Sequence, residues 1–518
     1  MTAPNTSTNV WLIFSRNTLC LSLVLFASLM QNIPSSSLVH SREETHRSND
    51  EIKVFVLDIP AELNHALILR AIEYHTNGSL SNPGSSIRNI VNYGLGENLQ
   101  RPRDSTRIQK QNWFDTHQFN LEMILHHRLL SHRFRTMDPL EADMLWIPYY
   151  PAFGAFFAVD PNKDRALQVQ AHERALFAWL SEHAPNYNTE RWRYVMALGC
   201  VSHQFMVHPD ENWGSNLLAS HELHGVNIVG IESIPGCSEV CWGDNVGACT
   251  QRCHGHNGRL PVNPPVVGIP YPSFYHALRA NELATGGHRE DPSWKKEGER
   301  TILATFVGEA KHGEILMPLR ALLIENCRSR PDLCVIASAN KQRGKLDLII
   351  QMYRESVFCL QPAGDTATRK GIFDAIMCGC IPVVFSPDQL GGVEDHPLQY
   401  KYHLPKPYET SILVPEINQS DTLGYLASIA LDKDRLQAYQ TALARVAFRL
   451  QYSHPKDRCQ EHRHRNEERP DGELCESDAL DVLLESLAQE IRRKQQSVSI
   501  SAVRTEDLER TETPFQYK

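Results

Sequence analysis

Surplus positive charge is missing from this chain: 52 Lys and Arg stand against 61 Asp and Glu, a formal net charge of −9. With no basic face dominating the balance, the charge argues against nucleic acid as a partner, and none is expected. No Gly-rich turn is followed by Gly-Lys-Ser or Gly-Lys-Thr, so there is no Walker phosphate loop and ATP hydrolysis is disfavoured. The pair Asp-x-Asp, a common metal-holding arrangement, occurs once, at Asp432-Lys433-Asp434. It lies in a helical pattern running from Thr422 to Leu450 and reads as a solvated helix face. No internal repeat is found, and beyond residue 30 no apolar run is long enough to cross a membrane.

What is present is an ordinary globular balance, 42% hydrophobic and 22% charged, over 518 residues. That length exceeds one core, so two domains with appendages are expected. An apolar run covers 10–30, interrupted by Arg16 and Asn17. Its second part, 18–30, has the size of a signal-peptide core, and the whole run that of one membrane span. Two readings stand: a signal anchor behind a cytosolic tail (1–9), with Arg16 on the cytoplasmic side, or cleavage near the small residues 27–28 or 35–37, followed by secretion. A polar stem, 31–50, comes next. Either reading delivers the bulk of the chain to the secretory lumen.

Thirteen cysteines suit that compartment. Cys237, Cys241, Cys249 and Cys253 have a spacing off the usual zinc pattern. Nested disulfides are expected instead, Cys237 with Cys253 and Cys241 with Cys249, out of three pairings. Cys327 with Cys334 and Cys459 with Cys475 are two further candidate bridges, while Cys378 and Cys380 read as inert core thiols. Asn77 and Asn418 stand in glycosylation sequons.

The fold class is α/β. Expected strands at 54–57, 144–147, 194–198 and 227–231 alternate with helices at 117–132 and 166–183. A second series of strands follows at 301–307, 335–338, 356–360, 381–385 and 412–414, after a polar linker at 280–299. This predicts two doubly wound, Rossmann-like domains, 51–285 and 286–455, facing across a cleft. The charged tail, 456–518, keeps one helix at 477–495, capped at Ser477, with Leu480, Leu483, Leu484, Leu487 and Ile491 on one stripe. Disorder is expected after Gln496.

The densest signal is 356–386, SVFCLQPAGDTATRKGIFDAIMCGCIPVVFS. It reads as a strand, a polar loop, a helix at 368–378 and a second strand, with Gly379 at the helix stop. The loop offers Gly364, Asp365, Thr366, Thr368, Arg369 and Lys370 at a helix start, an anion site at the end of a sheet strand.

This stretch resembles the central motif of the exostosin-like glycosyltransferases, and 399–408, QYKYHLPKPY, is similar to a segment of their plant-type xyloglucan galactosyltransferase branch. The blocks 53–60 (KVFVLDIP), 113–119 (WFDTHQF), 142–150 (ADMLWIPYY), 213–216 (WGSN), 269–276 (IPYPSFYH) and 305–308 (TFVG) resemble that branch in the same order, so the likeness spans about 53–450. It implies a GT-B fold and inverting sugar transfer from a UDP-sugar, galactose first, with glucuronate, arabinose or xylose as other donors. A catalytically inactive carbohydrate-binding member is the alternative from another class. The implied partners are a nucleotide sugar and a polysaccharide or glycan acceptor. The implied setting is the Golgi membrane, as an uncleaved type II protein, alone or as a homo- or hetero-oligomer with other Golgi transferases. The cysteine-rich segment 237–253 is an insertion relative to the family.

No cofactor is expected, and with no Asp-x-Asp after a strand the leaving diphosphate is expected to be held without metal. In that reading Gly364 lets the backbone approach the phosphates, Thr366 and Thr368 donate hydroxyls, and Arg369 or Lys370 neutralises the leaving charge. Asp365 and Asp374 orient the loop or bind donor hydroxyls, Gln361 joins the donor set, and Lys311 is a second phosphate ligand where the family carries Arg. His403 and Lys406 line the donor or cap a turn. A general base is expected from the first domain, with Asp58, Asp115 and His117 as candidates.

Overall fold

The protein is described from a computed structural model, which describes residues 52–76, 90–99, 112–206, 214–233, 266–278, 300–312, 315–338, 346–364, 366–393, 398–457 and 477–511. The apolar run 10–30, the linker 280–299, the four-cysteine segment 237–253, Cys459, Cys475, Asn77 and Asp365 lie outside the described residues. Among those described, no helix is long and apolar enough to cross a membrane.

The first lobe contains β1 (Val54–Val56), α1 (His65–Thr76), α2 (Leu121–Leu130), β2 (Arg135–Thr136), β3 (Met144–Ile147), α3 (Arg165–His183), β4 (Tyr194–Leu198), β5 (Asn227–Gly230) and β6 (Val266–Gly268). Its strands pair in parallel in the order β2-β1-β3-β4-β5-β6. Strands β3 and β4 are buried along their whole length, as expected when helices cover both faces of a parallel sheet. The carboxyl ends of β3 and β4 are tied by Glu122 of α2, which accepts from the Ala152 and Gly199 amides at 2.9 and 2.7 Å. Burial raises that carboxyl to about 8.

The second lobe contains β7 (Ile302–Val307), the hairpin β8 (Lys311–His312) and β9 (Ile315–Leu316), α4 (Pro318–Ser329), β10 (Cys334–Ala337), α5 (Leu346–Glu355), β11 (Ser356–Leu360), α6 (Lys370–Met377), β12 (Ile381–Val384), β13 (Ile412–Leu413), α7 (Thr422–Leu431) and α8 (Lys433–Ala447). Its order is β10-β7-β11-β12-β13, again all parallel. Two doubly wound α/β lobes are therefore present. The single helix expected over 422–450 is broken at Asp432, whose carboxylate caps α8 by accepting from the Arg435 amide at 3.0 Å.

The tail is not an appendage. Helix α9 (Ala479–Thr511) buries Leu480, Leu483, Leu484, Leu487 and Ile491 and continues past Gln496, where disorder was expected. Asp478, rather than Ser477, caps it, accepting from the Leu480 and Asp481 amides at 3.0 Å. Its anchors lie on both lobes: Asp478 pairs with Arg128 of α2 at 2.6 Å and Arg492 with Asp143 at 2.8 Å, while the Ala479 carbonyl meets His403 at 2.9 Å.

Cys327 and Cys334 are bonded to each other. Cys380, expected as a free core thiol, is instead bonded to Cys359, because β11 and β12 are parallel neighbours with Phe358 beside Ile381. Cys378 is free and buried, its thiol pushed up to about 12 by burial. The Cys359–Cys380 bridge closes the segment that carries the polar loop. Replacing both cysteines by Ser is expected to lower unfolding free energy by about 3 kcal/mol on loop entropy. Denaturant midpoints check this, and equal midpoints would contradict it.

Candidate functional site

In the second lobe the strand order reverses direction between β7 and β11, and ligands of open α/β sheets sit in the crevice at such a point, at the carboxyl ends of the strands. The loop 362–369 leaves β11 there. Gly364 closes it by donating its amide to the Thr366 carbonyl at 2.9 Å. Beneath it lies Arg320, from the first turn of α4 and nine-tenths buried. Its Nε donates to the Ala363 carbonyl at 2.9 Å and its Nη1 to the Glu309 carbonyl at 3.5 Å, so one guanidinium pins the loops after β7 and β11 together. Its Nη2 is 2.8 Å from where a Cβ on Gly364 would stand. A side chain at 364 would press on this guanidinium, a constraint beside the close phosphate approach expected. Arg320 was missed because it lies 43 residues before its partner in the chain.

The loop's own cations differ from each other. Arg369, half-buried, donates from Nη1 to the Pro362 carbonyl at 2.8 Å. Lys370 is buried: its Nζ bonds both oxygens of Asp374 at 2.8 and 2.9 Å and sits 2.9 Å from the centre of the Phe274 ring. Asp374 also accepts from the Phe274 amide at 2.9 Å. Burial lowers Lys370 to about 8, against the pull of Asp374, and raises Asp374. Lys370 and Asp374 therefore form a structural pair and not the donor ligands expected from the sequence.

Helix α6 begins at Lys370, two residues later than expected, and no side chain caps it. The Thr368 hydroxyl instead donates to Glu232 at 3.1 Å, with the Tyr271 hydroxyl 3.4 Å away. Gln361 is also structural. It is buried, its Nε2 meets the Tyr353 hydroxyl at 3.3 Å, and a Cβ on Gly371 would strike its Oε1. The loop's open side is made by Ala363, Gly364, Thr366, Ala367 and Arg369, all half-exposed.

Three first-lobe segments face this loop. After β5, the Ile231 carbonyl accepts from the Tyr400 hydroxyl at 3.1 Å, and Ser233 donates to Gln399 Oε1 from its amide and hydroxyl at 3.0 and 2.8 Å. After β6 come Tyr271 and Phe274. The third segment, 112–117, pairs with it: Trp113 bridges Tyr275, the Phe114 amide donates to the Phe274 carbonyl at 2.8 Å, and Thr116 meets His276 at 2.8 Å.

The base candidates fare differently. Asp115 is near enough for its charge to act on Lys370. His117 is held down to about 4 by burial and by Lys370, so it is neutral at pH 7. Its Nδ1 accepts from the Phe119 amide at 3.2 Å, so its one proton is on Nε2, making it a donor there rather than a base. Asp58 is exposed at the end of β1. That is three strands from β5, roughly 14 Å along the sheet.

Lys311 falls in the short hairpin after β7, at the same switch point. His403 is fully buried under α9, and burial lowers it to about 4. Lys406 is exposed and pairs with Glu409 at 2.8 Å beside a surface turn. Neither lines the loop. Glu232 was missed, although it directly follows an expected strand, the same signal that marked Asp58. Among the described residues no group of three or more His, Cys, Asp or Glu is arranged to hold a metal.

The pattern of the exostosin GT47 domain matches residues 48–427. A probable xyloglucan galactosyltransferase of Arabidopsis thaliana, GT17, is 28% identical over 454 residues, covering 85% of this chain and 83% of that protein. The xyloglucan-specific galacturonosyltransferase 1 of the same plant is 27% identical over 361 residues, 68% of this chain but only 46% of that protein, so the chain spans about half its length. The crystal structure of a GtfA/B complex overlaps 62% of this chain and 61% of its own at 10% identity and a TM-score of 0.29, and that likeness adds nothing to the assignment. With the domain pattern covering most of its length, the chain belongs to the exostosin GT47 family of glycosyltransferases.

Proposed function

We propose that this glycosyltransferase moves galactose from UDP-galactose, with inversion, onto a xyloglucan-type side chain. One observation carries the reading: the loop 362–369 opens at the switch point of the second sheet and faces the first lobe, which Thr368 and Tyr400 meet by donating hydrogen bonds and Gln399 by accepting them. There the diphosphate meets Thr366, Arg369 and the buried charge of Arg320. Charged hydrogen bonds of this kind contribute about 1.5–3 kcal/mol each, so the two guanidiniums outweigh the dipole of the short helix α6. The named substrates of GT17 support galactose and xyloglucan. Galacturonate is the second donor reading, because one relative is named for it.

The two disulfides in the core of the second lobe support an oxidising compartment and hence a Golgi-luminal domain behind an anchor at 10–30. The sequon at Asn418 sits half-exposed on the turn Glu416–Asp421, where a glycan has access.

UDP release by the luminal domain, measured over a panel of UDP-sugars with and without xyloglucan, tests donor and acceptor together. UDP-galactose with polysaccharide is expected to give the fastest release; release from no donor would remove the reading. Transfer is expected to persist in excess EDTA. Full loss restored by manganese would contradict the metal-free diphosphate site.

A further inference from the structure

We propose that Glu232 is the general base of the transfer, an inference that rests on the sugar-transfer reading above. Its carboxylate stands at the carboxyl end of β5, nine-tenths buried, and accepts from the Thr368 hydroxyl of the diphosphate loop at 3.1 Å. That contact places a first-lobe carboxylate directly against the loop. Asp58 is three strands away, the charge of Asp115 acts on Lys370, and His117 presents a proton rather than a lone pair. Among the described residues, Tyr271 from after β6 and Tyr400 from the second lobe stand beside the Glu232–Thr368 bond; burial raises Tyr400, and the charge of Glu232 raises it further.

In the transfer, the acceptor hydroxyl gives its proton to the Glu232 carboxylate while its oxygen bonds to the anomeric carbon. The bond from that carbon to the diphosphate oxygen breaks, and its electron pair leaves with the nucleoside diphosphate. Glu232 returns the proton to solvent after the products depart.

Glu232→Gln keeps shape and removes basicity. Its kcat is expected to fall by about 100-fold or more. UDP affinity by calorimetry should stay near that of the wild type, and the acidic limb of the kcat pH profile should disappear. Thr368→Val removes the same hydrogen bond but leaves the carboxylate; its loss is expected chiefly in donor KM, with the acidic limb kept. A latch between lobes would instead make the two variants lose rate and melting temperature alike with the limb unmoved, and that result overturns the proposal. So does a Glu232→Gln variant that keeps more than about a tenth of kcat, since a general base supplies at least about 100-fold. Wild-type enzyme that neither binds UDP nor releases it removes the transfer reading and this inference together. Normal wild-type turnover beside an unimpaired Glu232→Gln removes only the inference.

Discussion

A chain truncated before residue 477 is expected not to fold. Helix α9 buries five large aliphatic side chains, Leu480, Leu483, Leu484, Leu487 and Ile491, each at most 1% exposed. At about 2 kcal/mol apiece they contribute roughly 10 kcal/mol, comparable to the whole stability of an ordinary domain, about 5–15 kcal/mol. Truncation also strands Arg128, whose side chain is fully buried against Asp478, and removes the Arg492 bond to Asp143. Asp478→Ala isolates the charge effect. It leaves the buried guanidinium of Arg128 uncompensated and frees the Ser453, Leu480 and Asp481 amides that Asp478 accepts from. A loss of about 3–5 kcal/mol is expected. Circular dichroism and a denaturant titration check both, and a truncated chain that unfolds cooperatively at the wild-type midpoint would contradict the packing argument.

Arg320→Ala is expected to weaken UDP binding by about 10- to 150-fold, the equivalent of one lost charged interaction of about 1.5–3 kcal/mol. Two effects act together. The charge beneath the diphosphate goes, and the loops after β7 and β11 lose the group that pins Glu309 to Ala363. Arg320→Lys separates them, because a lysine keeps the charge but does not present the planar fork that spans both carbonyls; an intermediate affinity is expected. Gly364→Ala pushes a methyl against the same guanidinium and should shift affinity in the same direction. Calorimetry with UDP measures all three, and wild-type affinity in Arg320→Ala would overturn the site. Lys370→Ala is the wrong probe. It strands Asp374 in the core and would lower stability before it reported on phosphate.

The strands were legible because buried parallel strands are short, apolar and bounded by turn residues; β3, β4 and β11 lie where the sequence placed them. The stripe on α9 was legible too, but not its destination, since a helical period says that one face is covered and not by what. The same limit hid the fate of Lys370. Its spacing of four from Asp374 marks an ion pair on one helix face, yet the burial of that face is supplied by Phe274, 100 residues away from Asp374. Thr368 was expected to donate its hydroxyl to the diphosphate, and its hydroxyl meets Glu232 of the other lobe. The Cys359–Cys380 bridge follows from strand adjacency, which becomes visible only when β11 and β12 are set side by side. The anion loop itself was found from local chemistry, whereas Arg320 and Glu232 reach it from distant segments.

Hydrogen–deuterium exchange of the luminal domain with and without saturating UDP locates the diphosphate directly. Protection is expected in peptides covering 361–371 and 309–320, the two loops that Arg320 joins. Bound UDP that protects neither segment would place the nucleotide elsewhere and contradict the assignment of the loop.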